Sequence, residues 1–164
     1  MAGKLITICG LPGSGKTTHA KALESSLSAV RFCADDWMNA LSLNLWDESA
    51  RGKIEAHQWM VAQRLIAIGQ TVLIERGTWG RAERDALREG GRALCANVEL
   101  HYVSAPLDVI FERIQRRQME EPPIHREQIE IWARSFHVPT AEESTLYDHF
   151  WSNTRISGPQ GTTL

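Results

Sequence analysis

The sequence has no long hydrophobic run and no excess of positive charge. None of its apolar runs approaches the roughly 18 residues that a membrane-spanning helix needs, and no basic stretch followed by an apolar segment marks a secretory signal. The formal net charge is −2, so no global positive field would collect nucleic acid or an anionic membrane surface. These absences predict a cytoplasmic protein that does not associate with a membrane.

Cysteine is also scarce. The three cysteines, Cys9, Cys33 and Cys95, are far apart and lie in apolar runs. An odd number at this spacing forms no disulfide framework and matches no metal-binding pattern. The sequence therefore predicts buried thiols in a reducing compartment.

The chain has no internal repeat and no low-complexity segment. Its 164 residues, of which 43% are hydrophobic, suffice for one ordinary core and are too few for two. We therefore predict one domain over residues 1–158, followed by a flexible C-terminal tail over residues 159–164.

The most informative stretch is the glycine-rich loop Gly10–Thr17 (GLPGSGKT), which follows an apolar run and leads into a helix-compatible segment. A polyphosphate needs many backbone N–H donors that converge on one point, and residues without a Cβ allow the chain to turn tightly enough. The N-terminus of the following helix adds to the same anion site. Glycine makes up ~7% of average sequences, so these fixed positions would rarely coincide by chance. The loop predicts a nucleotide-binding site.

Two side chains of the loop have the chemistry that a nucleotide triphosphate requires. Lys16 would reach the β- and γ-phosphates as a point charge, and the Thr17 hydroxyl would ligate Mg²⁺. The predicted cofactors are therefore ATP and Mg²⁺.

Strand-like and helix-like segments alternate along the chain, which is typical of a parallel sheet. The predicted strands are Lys4–Cys9, Val30–Cys33, Thr71–Glu75, Val98–Val103 and Phe150–Ile156. The longer predicted helices are Thr18–Leu27, Ser49–Ile68, Arg81–Leu94 and Ile129–Phe136, and a capping box at Thr140–Glu143 opens a short last one. We predict an α/β fold, a doubly wound five-stranded parallel sheet with helices on both faces, of the P-loop NTPase type.

The sequence also predicts which faces of two helices are buried. In the helix Ser49–Ile68, the residues that recur at helical spacing and should face the core are Ile54, Val61, Leu65 and Ile68. In the helix Arg81–Leu94, the inward-facing residues should be Ala82, Ala86, Leu87 and Ala93 or Leu94. Arginines at positions 81, 84 and 88 alternate with acids, which predicts a solvated, self-paired helix face.

Three carboxylates follow strands at the edge where parallel sheets bind ligands. Asp35 is the candidate general base for an acceptor hydroxyl, and Glu75 is a candidate ligand of a Mg²⁺-bound water. Asp35 or Asp36 could instead cap the following helix, and Glu75 could pair with Arg76 or Lys16.

Two arginines lie one turn apart near the end of the helix that follows Pro106. Arg113 and Arg117 would stabilise the transferring phosphoryl group from the side of a lid, which we place at about residues 119–126. Alternatively, the two arginines could have no ligand and only stabilise the C-terminal end of the helix, because positive charges there interact favourably with the helix dipole. The predicted nucleotide-binding residues are Gly10, Pro12, Gly13, Ser14, Gly15, Lys16, Thr17, Thr18, Arg113 and Arg117.

Several tryptophans follow the same strands. Trp37, Trp46 and Trp79 could form an apolar wall for an acceptor, although each could equally be a core residue. The predicted substrate-binding residues are Asp35, Asp36, Trp37, Glu75, Arg76 and Trp79.

Taken together, the segments GLPGSGKTT, CADDWM, VLIERGTWGRAERD and RIQRRQ resemble small AAA_33-type P-loop kinases, a group that includes polynucleotide kinase domains, zeta toxins and chloramphenicol phosphotransferases. The resemblance implies a kinase-like fold with a short arginine-bearing lid, Asp35 as the base, and Arg113 and Arg117 as the lid arginines. Polynucleotide kinases carry an arginine three residues beyond this aspartate, where this chain has Met38, which favours a less anionic acceptor. Glu75 also departs from the aspartate of several relatives.

The sequence thus predicts an ATP-dependent kinase that phosphorylates a hydroxyl of a small-molecule acceptor. A 5′-hydroxyl polynucleotide kinase is an alternative, although nucleic acid is the less favoured partner. A nucleotide-binding regulatory ATPase is the alternative from another class of protein. The protein could be a monomer or a homodimer.

Overall fold

The strands form one parallel sheet. The computed structural model describes residues 2–117 and 122–156. Within these ranges the strands are β1 (Lys4–Cys9), β2 (Val30–Cys33), β3 (Thr71–Glu75), β4 (Asn97–Tyr102) and β5 (His149–Ser152). They are hydrogen-bonded in the order β2-β3-β1-β4-β5, and every neighbouring pair is parallel. The first three strands have the predicted bounds, whereas β4 and β5 each begin one residue earlier.

Helices connect the strands. They are α1 (Lys16–Leu27), α2 (Ala34–Ala40), α3 (Glu48–Ala67), α4 (Arg81–Ala93), α5 (Leu107–Arg117), α6 (Arg126–Ser135) and α7 (Ala141–Ser144). The predicted fold class, a doubly wound five-stranded parallel sheet, is confirmed. In the described part of the chain, none of the helices combines the length and the apolar character that crossing a membrane requires.

The core lies on both faces of the sheet. On one face, Leu5 belongs to a cluster that includes residues of α3 and α4. On the other face, Ile6 and Ile8 pack with Ala20 of α1. Because β1 is covered on both sides, it is a continuous apolar run rather than an alternating pattern.

The register of the strands places the ends of β1, β2 and β3 together. Glu75 at the end of β3 is the partner of Ile8 in β1 and of Cys33 in β2. The glycine-rich loop leaves β1 just beyond this level, and Asp35 lies two residues beyond the end of β2. The three polar segments singled out in the sequence therefore meet at one edge.

The predicted inward face of α4 is partly wrong. Leu87 is buried as expected, but the alanines at positions 82, 86 and 93 are exposed, and Leu94 is half-buried. The helix instead presents Arg84 and Gly91 to the sheet. A Cβ on Gly91 would lie 2.6 Å from Cγ1 of Val98, so a bare backbone at this position lets the helix approach β4 closely.

The prediction of a solvated arginine face on α4 is also wrong for Arg84. Its side chain is buried and paired with Glu143 of α7. Arg81 and Arg88 do pair along the helix with Asp85, as expected. Glu143 is therefore not the second half of a capping box, although Thr140 does accept a hydrogen bond from the Glu143 backbone N–H.

Two further expectations need correction. In α3, Ile54 is buried and Val61 and Leu65 pack half-buried against the core as expected, but Ile68 is exposed beyond the end of the helix. Gln58, Ala62 and Ile66 complete the buried face. Cys9 and Cys33 are buried, but Cys95 is exposed. Cys95 lies in a turn with a positive φ of 56°, so it belongs to the connection between α4 and β4 rather than to the core.

Part of the predicted lid and all of the predicted tail lie outside the described residues. Residues 119–121 of the lid and 159–164 of the tail are in this category. In the described part of the lid, Ile124 is buried against Ile110, Ile114 and Ile129. Its carbonyl accepts a hydrogen bond of 2.9 Å from the Gln115 side chain. The segment that enters α6 is thus fixed to α5.

Candidate active site

The glycine-rich loop has a backbone that side chains would disrupt. Gly10, Gly13 and Gly15 have positive φ angles of 146°, 78° and 110°. A Cβ on Gly10 would lie 2.1 Å from the carbonyl oxygen of Val103, and one on Gly13 would lie 3.1 Å from that of Ile110. The loop therefore folds tightly against the segments that follow β4, as an anion-binding backbone must.

Polar groups of this loop fit a phosphate ligand. Lys16 extends across the loop, and its Nζ donates a hydrogen bond of 2.9 Å to the Leu11 carbonyl. Burial lowers the pKa of Lys16, an effect that Glu75 and then Asp35 oppose. The Ser14 hydroxyl is buried without a hydrogen-bond partner among the described residues. Of the other predicted nucleotide-binding residues, Pro12 is half-buried in the loop and Thr18 is exposed in the first turn of α1. An anion in the loop would match the ammonium group and the unpaired hydroxyl.

Thr17 and Glu75 lie side by side. The Thr17 hydroxyl donates a hydrogen bond of 2.5 Å to Oε1 of Glu75, whose side chain is 4% exposed. A hydroxyl and a carboxylate oxygen are hard donors of the type that Mg²⁺ prefers, with phosphate and water as the remaining ligands. The residues present therefore fit a magnesium ion beside the loop.

Glu75 pairs with an arginine that the sequence analysis did not single out. Nη1 of Arg31 lies 2.5 Å from Oε2 of Glu75, so neither Arg76 nor Lys16 is its ion-pair partner. Arg31 also contacts the carboxylates of Glu24 and Asp36. Burial opposes its charge, but hydrogen bonds to Asp36 and Glu75 outweigh this effect and raise the pKa of Arg31. The sequence did contain a sign that Arg31 has a charged partner: it lies inside the short strand β2, and buried charges are nearly always paired.

The two neighbouring aspartates have different partners. Asp35 pairs with Nη2 of Arg51 on α3 at 2.7 Å, and its side chain is exposed. Asp36 is held by Arg31 at the opposite side. Arg51 also donates a hydrogen bond of 3.0 Å to the Leu45 carbonyl. Asp35 is therefore the one of the two that is directed toward α3 and the loop before it.

Arg113 lies on the phosphate loop. Its Nη1 donates hydrogen bonds to the carbonyls of Gly13 at 3.2 Å and Ser14 at 3.0 Å. Arg117 is exposed and ends α5, one turn further on. The structure thus brings the first predicted lid arginine to the nucleotide loop.

Arg76 turns toward α3. Its Nη2 donates a hydrogen bond of 2.6 Å to the Glu55 carbonyl, and its Nη1 lies 3.8 Å from the Glu55 carboxylate. Burial lowers the pKa of Arg76, with Glu55 opposing the effect. This arginine fastens the end of β3 to α3.

The tryptophans divide into two groups. Trp37 is partly exposed and lies beside Phe32, with ring centroids 6.2 Å apart. Trp46 and Trp79 both approach Trp132 of α6, with ring centroids 6.4 Å and 5.9 Å away. Trp132 was missed because its position depends on where α6 packs, which the local sequence does not specify.

Comparison with known proteins gives the family. The sequence model of the AAA_33 family, described as an AAA domain, matches residues 5–139. The chain belongs to this family. A gluconokinase from Arabidopsis thaliana is 28% identical to this AAA_33 member over 134 residues, which is 74% of this chain and 70% of the relative.

Solved structures share the fold of this AAA_33 member. The APS kinase CysC of Mycobacterium tuberculosis, in complex with AMPPNP and APS, matches with a TM-score of 0.62 and 19% identity over 94% of this chain and 90% of its own. A chain of the Pnkp1/Rnl/Hen1 RNA repair complex matches with a TM-score of 0.69 and 19% identity over 90% of this chain and 47% of its own. The predicted family, AAA_33, and the predicted fold class, an α/β fold with a five-stranded parallel sheet, are confirmed.

Proposed function

We propose that the protein transfers the γ-phosphate of ATP to a hydroxyl group of a small-molecule acceptor. The observation that carries this proposal is that the phosphate loop, the Thr17–Glu75 pair and the Asp35 carboxylate lie at one edge of the sheet. Phosphoryl transfer requires positioning and charge stabilisation more than covalent chemistry by the protein. The gluconokinase and APS kinase relatives support the reaction type.

The residues divide the work between them. Loop amides and Lys16 hold the β- and γ-phosphates, and Arg113, which already contacts the loop, neutralises the charge that spreads over the transferring group. The acceptor oxygen forms a bond to the γ-phosphorus while the bond from that phosphorus to the β-phosphate oxygen breaks and ADP leaves. Asp35 orients the acceptor hydroxyl and accepts its proton.

A magnesium ion would be held by the Thr17 hydroxyl and, directly or through water, by Glu75. When bound, it supplies positive charge to the β- and γ-phosphate oxygens. Arg31 keeps the Glu75 carboxylate in place from the other side. Arg117 is proposed to act with Arg113 from the lid.

The test uses ATP labelled in the γ-phosphate and a fractionated pool of metabolites. Lys16→Met should abolish transfer of the label, because the loop would lose the cation that contacts the terminal phosphates. Lys21→Met is the matched control, since Lys21 is an exposed lysine on the same helix. Full activity of Lys16→Met would contradict the proposal.

The same experiment separates the alternatives. Label on the 5′ end of an oligonucleotide would indicate a polynucleotide kinase. The chain from the RNA repair complex shares the fold of this protein, and that likeness alone does not favour this activity. Slow release of inorganic phosphate, without a labelled acceptor, would indicate a regulatory ATPase. Met38 favours the small-molecule reaction, because it is fully buried against Ala34 and Ile54 and offers no grip for a substrate phosphate.

A further inference from the structure

An aromatic wall stands at the acceptor side of the phosphate loop. We define it as Trp46 from the α2–α3 loop, Trp79 from the β3–α4 loop and Trp132 from α6. Trp132 lies between the other two rings, at 35° to Trp46 and 76° to Trp79. Trp46 is 43% exposed, whereas Trp79 and Trp132 are half-buried.

The inner end of the wall is anchored in the core. Trp79 packs edge-on against Phe136 at 6.2 Å, and Phe136 stacks on Tyr102 of β4 at 5.9 Å. The Trp79 carbonyl accepts a hydrogen bond of 2.8 Å from the His137 backbone N–H. The wall is therefore a fixed surface whose outer edge reaches solvent.

The wall adjoins the groups that we assign to chemistry. Leu11 of the phosphate loop packs against the same core cluster as Trp79 and against the same cluster of isoleucines (Ile110, Ile114, Ile124, Ile129) as Trp132. Arg51 joins Asp35 to the Leu45 carbonyl, directly before Trp46. The wall therefore neighbours the phosphate loop through shared core clusters and the proposed base through the loop that Arg51 ties to Asp35.

Arg113 contacts the phosphate loop and is assigned to the nucleotide, whereas five other arginines at or near this edge of the sheet are paired with carboxylates. Arg51 is paired with Asp35, Arg76 with Glu55, and Arg81 with Asp85. Arg31 faces three carboxylates, and Arg84 is enclosed with Glu143. An anionic acceptor that bound to one of these five arginines would break its ion pair and leave a carboxylate without its partner, which costs free energy.

We infer that the acceptor is an alcohol without negative charge that presents an apolar, ring-bearing side to the wall formed by Trp46, Trp79 and Trp132. This inference rests on the proposed kinase function and names its substrate class. Aromatic faces attract planar rings and cations, and exposed carboxylates such as Asp35 tolerate a cation far better than an anion. The class differs from that of the gluconokinase and APS kinase relatives, whose named substrates are anions.

The first experiment is calorimetry with two matched pairs of probes, mandelamide with mandelate and gluconamide with gluconate, on protein saturated with Mg-AMPPNP. Each pair differs in charge, and the two pairs differ in the aromatic ring. The uncharged member should bind about tenfold more tightly than its acid. Mandelamide should bind more tightly than gluconamide.

Variants locate the binding surface. Trp132→Leu and Trp46→Leu should each weaken mandelamide binding about fivefold, the range of one aromatic contact. Trp59→Leu is the matched control, because Trp59 is a half-buried tryptophan that packs over Gly90 of α4. Tighter binding of either acid, equal losses in all three variants, or no heat from any of the four probes would overturn the inference.

The second experiment separates a metabolite pool on an anion exchanger before the reaction with labelled ATP. Labelled product from the unretained fraction would support both proposals. Product from the retained fraction alone would leave the kinase standing and overturn the acceptor class. If no fraction gave a labelled product, the proposed kinase function would be contradicted. The calorimetric comparison of charged and uncharged probes would then still test whether the wall binds uncharged molecules.

Discussion

Arg84 and Glu143, which lie 59 residues apart, form a buried bidentate ion pair. Nε and Nη2 of Arg84 lie 2.6 Å and 2.8 Å from the two carboxylate oxygens of Glu143, and both side chains are 1% exposed. Arg84 also donates a hydrogen bond of 3.1 Å to the Thr78 carbonyl. The pair thus joins α4, α7 and the loop that carries Trp79.

Removing one partner of this pair should destabilise the protein strongly. Arg84→Met would leave the buried Glu143 without its bidentate partner and with only Arg81, 3.9 Å away, as a cation; breaking a buried pair typically costs about 3–5 kcal/mol. The free energy of unfolding from urea titration measures the loss. Arg88→Met, which removes a half-exposed arginine of the same helix, should cost less than about 1 kcal/mol.

The double variant Arg84→Met/Glu143→Leu provides a further check. It should recover much of the stability lost by Arg84→Met, because no unpaired charge remains. A single Arg84→Met variant that unfolds at the wild-type urea concentration would show that the pair contributes little.

Glu75→Gln should weaken the magnesium dependence of ATP binding. The amide oxygen can still accept the hydrogen bond from Arg31 and the amide NH2 can donate to the Thr17 hydroxyl, but the charge that attracts the ion is lost. Calorimetry with and without Mg²⁺ measures the effect: the gain in ATP affinity on adding Mg²⁺ should fall about tenfold, while affinity in EDTA stays close to that of the wild type. Glu55→Gln, a carboxylate on α3, serves as the control. An unchanged gain would exclude Glu75 from the metal site.

Asp35→Asn should lower kcat far more than it lowers ATP affinity. A positioned general base contributes about 10²–10⁴-fold to rate, whereas the phosphate loop that holds ATP is left intact. Asp108→Asn is the control, because Asp108 is an exposed aspartate of α5 that pairs with Arg126. Equal losses of kcat and ATP affinity in Asp35→Asn would assign it to binding or folding instead of proton transfer.

His101 should make the fold sensitive to mild acid. Its Nδ1 lies 2.8 Å from Nε2 of His19, and its Nε2 lies 3.3 Å from Glu99. Burial lowers the pKa of His101 from 6.5 to about 4; Glu99 opposes the shift, and His19 and His149 add to it. The unfolded chain therefore binds the proton more readily than the folded one.

Stability should not depend on this group above about pH 6.5, and it should fall as the pH drops toward 4, by an amount on the order of 2–3 kcal/mol. Urea unfolding across this range measures the slope. His101→Gln should flatten it, whereas His57→Gln, which replaces an exposed histidine of α3, should not. The same slope in wild type and His101→Gln would assign the acid sensitivity to other groups.

The parts of the fold that could be predicted are those that local chemistry determines. Positive φ angles at Gly10, Gly13 and Gly15 require glycine, so the loop is legible in the sequence. The bounds of β1 and β3 follow from apolar runs covered on both faces. Asp35 and Glu75 reached the same edge because parallel strands end together.

What could not be predicted depends on which distant elements become neighbours. The alternative role considered for Glu75 was an ion pair with Arg76 or Lys16, but the sheet order brings Arg31 of β2 beside it. Arg84 looked like a surface residue because its partner, Glu143, belongs to another helix. Trp132 gained its place only through the packing of α6 against α5. Helical spacing predicts which face of a helix is buried, but it does not predict which distant element packs against that face.

The side chain of Arg51 touches both Asp35 and the Leu45 carbonyl. A displacement of the α2–α3 loop that moves Leu45 would either stretch the hydrogen bond from Arg51 or carry the guanidinium with it. In the second case Asp35 would lose its ion-pair partner or follow it. The position of this loop and the orientation of the Asp35 carboxylate are therefore coupled through one side chain.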